Sequence, residues 1–87
     1  MYLKGMYFWN QGNDEGVRAS IRCFEQAIER DENYALAHAA MGQAYMFLGS
    51  IAEAPEHRRE YFAEGQKKVA RYLRLIQENY EQNRISE

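Results

Sequence analysis

The scarcity of residues that break or resist a helix constrains this chain more than any other feature. It has one proline, Pro55, no threonine, and seven β-branched residues in 87: Val17, Ile21, Ile28, Ile51, Val69, Ile76 and Ile85. Proline breaks helix interiors, and strands favour stiff β-branched side chains that pack well on a pleated surface. Ala, Glu, Gln, Arg, Leu and Met dominate instead, and these lose little freedom in a helix. The expected fold class is all-α.

Four helices follow from the periodicity. The first covers about Tyr2–Gln11 and ends at the turn cluster Gln11-Gly12-Asn13-Asp14. Asp14 is placed to accept a hydrogen bond from a first-turn amide, as N-cap of a second helix over about Glu15–Arg30. Its apolar residues Val17, Ile21, Phe24 and Ile28 step by four, three and four, so they share one face. A third helix runs over about Tyr34–Leu48, with Gly49 as a left-handed stop. Pro55 then suits the first turn of a fourth, long helix reaching about Tyr80, because a first-turn N–H has no helical partner to lose. Phe62, Gly65, Val69, Tyr72, Ile76 and Tyr80 form its apolar stripe. Lys67, Lys68, Arg71, Arg74, Glu78 and Glu81 form its wet face.

Sliding the sequence on itself gives an internal match at an offset of 37. Gly5, Phe8 and Gly12 align with Gly42, Tyr45 and Gly49. In each copy an aromatic residue follows a glycine by three positions, and a second glycine comes four later. Periods of this size mark stacked helical units. Further residues carry a family pattern: Ser20-x3-Phe24-x2-Ala27, then Asp31-Glu32-Asn33-Tyr34-Ala35, then His38-x2-Met41-Gly42-x2-Tyr45-x3-Gly49. In this, the chain resembles the tetratricopeptide repeat family, whose unit is W-x2-L-G-x2-Y, A-x3-F and P over about 34 residues. Glu32 stands where the family has proline, His38 where it has a large residue, and Met41 where it has leucine. Three extra residues before Phe24 lengthen the period. The match spans about Leu3–Gly49 and weakens beyond Ser50, where Gly65 and Val69 fill the small and large positions only after an insertion of about eleven residues.

The resemblance implies a single domain over 1–87, built of antiparallel helix pairs stacked as a short solenoid with a long C-terminal helix. Repeat one covers about 2–33 and repeat two about 34–80, with the insertion near 50–60. It also implies a concave face lined by the first helix of each pair. The residues expected there are Tyr2, Met6, Trp9 and Asn10 on the first helix, with Leu36, Ala39, Gln43, Met46 and Phe47 on the third. Aromatic residues anchor interfaces, methionine adapts to irregular partners, and amides fix the register of a bound backbone. Family members that clamp acidic chaperone tails use Lys and Asn in the groove. Tyr2, Met6, Ala39 and Gln43 stand there in this chain, so that role is rejected.

Other chemistry finds little footing. Eleven Lys+Arg against thirteen Asp+Glu leave a formal charge of −2, with no overall pull toward nucleic acid or an anionic membrane. The basic run Lys67–Arg74 is read as a solvated helix face. One cysteine, Cys23, and two histidines, His38 and His57, cannot close a structural zinc site or an internal disulfide. Cys23 and His38 are read as packing residues and His57 as exposed. No phosphate loop or nucleophile elbow is present, so neither an enzyme nor a cofactor is expected. No signal peptide or spanning segment is read in the sequence, and the expected location is the cytoplasm.

The expected function is a non-catalytic module that binds a protein or peptide segment on its concave face. Two alternatives stand beside it. One is a self-assembling homodimer through the groove and the last helix, because two repeats are fewer than a stable stack usually needs. The other is a regulatory fragment of a larger signalling protein, since the segment Tyr2–Asn10 resembles the entry repeat of sensory tetratricopeptide domains on bacterial cyclases and transcription regulators.

Overall fold

The computed structural model describes residues 1–86, with side chains through Arg84. The fold is all-α: α1 spans Tyr2–Trp9, α2 Asp14–Arg30, α3 Ala35–Ile51 and α4 Pro55–Ser86, with no strand among the described residues. Three short connections leave little freedom, so consecutive helices fold back on one another. Gly5 of α1 meets Phe24 near the end of α2, while Gly16 at its start meets the Phe8 carbonyl. That crossing order makes α1 and α2 antiparallel. Gly49 meets Phe62, and Gly42 meets Gly65 and Val69, which makes α3 and α4 antiparallel in the same way. Helix α2 joins the two hairpins by packing along α3.

The core sits where the hairpins meet. Val17, Ile21 and Phe24 from α2 interlock with Ala40, Met41, Ala44 and Leu48 from α3. The four-three-four stripe of α2 therefore faces α3, as its spacing requires. Phe24, with none of its surface exposed, is the largest side chain in this core. The alanines of α3 let the helices approach, and the long side chains of α2 fill what remains.

Several boundaries differ from those read in the sequence. Asn13, not Asp14, caps α2: its Oδ1 accepts the Gly16 N–H at 2.7 Å. Asp14 is inside the helix and pairs with Arg18 Nε at 2.6 Å, one turn on. Gly49 does not stop α3, which continues to Ile51. Gly49 is instead a close approach, where a Cβ would stand 2.7 Å from Phe62 Cε1. The positive-φ glycine is Gly12 (φ 71°), in the α1–α2 turn. Helix α4 runs six residues past Tyr80, to Ser86.

The face α4 turns inward is also rotated from the expected stripe. Gly65 and Leu75 are buried, and Phe62 and Tyr72 half-buried, but Ile76 and Tyr80 are exposed. Arg71, expected on the wet face, is half-buried and donates from Nη2 to Asn33 Oδ1 at 3.2 Å. The reason is the Gly42–Gly65 crossing, which fixes the rotation of α4 by backbone contact. Arg71 and Leu75 lie level with the start of α3 at Asn33 and Ala35. Helix α4 continues beyond this level, and its Ile76, Glu78, Asn79 and Gln82 still border a cavity shared with Asn33 and Ala35.

Candidate functional site

The two hairpin-leading helices, α1 and α3, run in the same direction side by side. Tyr2 at the start of α1 lies against Tyr34, just before α3, with ring centroids 5.4 Å apart. Trp9 at the end of α1 lies edge-on to Phe47 near the end of α3, at 6.0 Å and 77°. These two aromatic contacts link α1 to α3 at both ends.

The nine residues expected on the concave face divide in two. Asn10, Leu36 and Gln43 are exposed, with Leu36 showing 54% of its surface. Ala39, Met6, Trp9 and Phe47 are half-buried; Met6, Trp9 and Phe47 pack on the core with one side and border the face with the other. Two point elsewhere. The Tyr2 ring is half-buried between Phe24, at 5.9 Å, and Tyr34. Met46 lies in the α3–α4 seam, where its Cγ and Cε would stand 3.3 Å from a Cβ at Gly65. The working strip is thus Leu36, Ala39, Gln43 and Phe47, continued by Trp9 and Asn10.

Sequence reasoning did not single out Leu3 and Tyr7, which are exposed on the outer side of α1. Their spacing of four, opposite Gly5, was the available signal. It also did not find a polar cluster on the far side of α3. There Tyr45 stacks on Tyr61 at 6.4 Å and 29°, and Arg18 holds its guanidinium 5.9 Å from the Tyr61 ring centre. Arg18 Nη2 donates to the Tyr61 hydroxyl at 3.3 Å, and this bond, with that to Asp14, raises the Arg18 pKa further above its ordinary value. Burial pushes the Tyr45 phenol up, and the charges of Glu25 and Glu64 add to it. These contacts tie α2 to α4 across α3.

His38 is buried, and its Nε2–H donates to the Glu32 carbonyl at 3.0 Å, clasping the α2–α3 turn. A carbonyl can only accept, so Nε2 carries a proton, and Nδ1 is buried with no hydrogen-bond partner among the described residues. Cys23 is buried with a free thiol, and His57 is exposed. Among the described residues no group of three or more His, Cys, Asp or Glu is placed to hold a metal ion, and no helix is long and apolar enough to cross a membrane. No protein-family model, curated protein or solved structure matches this chain.

Proposed function

We propose that this chain is a non-catalytic helical-repeat module that holds a protein or peptide segment on the face shared by α1 and α3. The observation that carries the proposal is the paired geometry of that face. Two parallel helices present apolar Leu36, Phe47 and Trp9 beside the amides Asn10 and Gln43. A segment laid there buries apolar side chains against the strip and gives its backbone amide partners. The strip side chains include no carboxylate, thiol or imidazole, which fits binding rather than bond-making.

The tetratricopeptide reading is part of the same proposal and draws support from the hairpins. In the first, Phe24 of α2 lies over Gly5 of α1; in the second, Val69 of α4 lies over Gly42 of α3, with Cγ2 2.8 Å from where a Cβ would stand. Those are the two glycines aligned by the 37-residue offset. Equivalent helices thus meet through equivalent small-over-large contacts, which is how stacked repeats bury faces that one pair cannot bury alone. A cytoplasmic location belongs to this reading as well.

A strip this small binds weakly or through several copies. Peptides selected from a random displayed library against the protein test the reading. They are expected to lose binding to a Leu36→Glu/Gln43→Arg variant and to keep it in Glu29→Lys, an exposed position of α2 outside the strip. Both sites are exposed, so the fold survives either change. Peptides that bind the groove variant as well as the parent would overturn the assignment.

A further inference from the structure

We infer that the cavity between α2, α3 and α4 is a ligand site of its own, one that takes a small organic carboxylate with an aromatic body. The cavity holds about 310 Å³ and is lined by Arg18, Ile21 and Arg22 of α2, Tyr45 and Leu48 of α3 and Tyr61 of α4. That volume is at the small end of ligand pockets, which combine apolar surface with a few convergent polar groups. Ile21 and Leu48 are buried and supply an apolar base, and the stacked rings of Tyr45 and Tyr61 supply an aromatic wall. None of the six belongs to the α1–α3 strip, so this inference stands apart from the peptide-binding proposal.

The polar groups of the lining converge as donors. A guanidinium can only donate, and a neutral phenol has one O–H to give. Arg18 is held in position, because Asp14 takes its Nε–H and the Tyr61 oxygen takes an Nη2–H, while Nη1 is bound by neither. The Tyr61 hydroxyl accepts from Arg18 and keeps its own proton to donate. Arg22, one turn further along α2, has no hydrogen bond or ion pair among the described residues. Like charges at this spacing repel along a helix, and an anion seated between them removes the repulsion. The Tyr45 hydroxyl also has no hydrogen bond among the described residues, and burial keeps it in its protonated, donating form.

Charge narrows the anion. No acid lines the cavity. Around it, Asp14 is paired with Arg18 and Glu64 with Lys67, Glu25 and Glu64 act on Tyr45, and Glu15 borders the two arginines from the neighbouring cavity. With those acids nearby, a phosphate dianion is repelled more than a monoanion. A carboxylate carries the single charge, and it matches the planar fork of an arginine through two parallel hydrogen bonds. An aromatic body on the same molecule covers the apolar base and meets the tyrosine rings.

Titration of phenylacetate into the full chain, followed by NMR of the tyrosine ring protons, tests the inference. The Tyr45 and Tyr61 signals, assigned with Tyr45→Phe and Tyr61→Phe, are expected to shift and to saturate in the millimolar range suited to so small a ligand. Acetate lacks the body, benzyl alcohol lacks the charge and phenyl phosphate has too much of it, so each is expected to bind more weakly. Arg22→Gln is expected to weaken phenylacetate about tenfold, as loss of a charged hydrogen-bond donor does. Arg22 is exposed and bonds nothing in the fold, so the variant folds. Leu36→Glu/Gln43→Arg should bind phenylacetate like the parent. Tyrosine signals that do not move, acetate or phenyl phosphate binding as tightly as phenylacetate, or an Arg22→Gln chain that binds like the parent overturns the inference. So does a loss of binding in Leu36→Glu/Gln43→Arg, which would move the ligand to the strip.

Discussion

Gly5 lies under the ring of Phe24, and replacing it with alanine sets two effects of opposite sign against each other. Alanine favours the helical backbone over glycine by about 1 kcal/mol in a helix interior, and by less in a helix of eight residues. Its Cβ, however, would stand 2.7 Å from Phe24 Cδ1 and still closer to Cε1. Carbon atoms rest at about 3.5–4.0 Å, so ring or helix must yield by about 1 Å. Phe24 is fully buried and bounded by the Tyr2 ring. Overpacking of this kind costs about 1–3 kcal/mol. The clash wins: Gly5→Ala should lose about 1–2 kcal/mol in urea denaturation followed by Trp9 fluorescence. The melting temperature should fall by roughly 5–15 °C for a domain of this size. Phe24→Leu removes the opposing ring edge, so the double variant should be more stable than the sum of the singles by about 1 kcal/mol. Gly65→Ala is the contrast, since its Cβ would meet the flexible Met46 at 3.3 Å and the Gly42 carbonyl at 3.2 Å, a milder conflict. A Gly5→Ala protein as stable as the parent, or a strictly additive cycle, would refute the reasoning.

Two further outcomes follow from local chemistry. Asn13→Ala leaves the Gly16 N–H without its cap and should lose about 1 kcal/mol in the same assay, whereas Asn13→Asp keeps the acceptor and should stay near the parent. Equal losses from both would show that the cap is not what Asn13 supplies. Tyr45 has its pKa raised in the folded state, so its neutral form is the favoured one there. Its contribution is intact below the ordinary tyrosine value of about 10 and is lost as pH rises through the raised value. Tyrosinate absorbance should include one late-titrating phenol that Tyr45→Phe removes, and a titration unchanged by that substitution would contradict the placement.

Much of the scaffold was legible in the residues. The lack of helix breakers called for helices throughout, and the steps of Val17, Ile21, Phe24 and Ile28 identified the stripe that α2 buries. Pro55 begins α4, and His38 and Cys23 are buried, each as its sequence context implied. These features rest on backbone chemistry or local periodicity, which a single segment carries in itself. The site was only partly legible. Of the residues expected on the strip, Leu36 and Gln43 are exposed, whereas Tyr2 and Met46 turn into packing.

What the sequence by itself determined is the local order of this protein: helix, turn, helix, and which residues on each rod share a side. Tertiary structure decided how each rod is turned toward its neighbours. A glycine such as Gly49 reads as a chain stop or as a point of contact with equal ease, and the Phe62 ring lying on it settles which. Leu75 and Ile76 are adjacent in sequence and about 100° apart around the helix, and the Gly42–Gly65 crossing buries the first and exposes the second. Periodicity fixes angles within one helix, but the direction of the core is set by a second helix, through contacts between residues far apart in the chain.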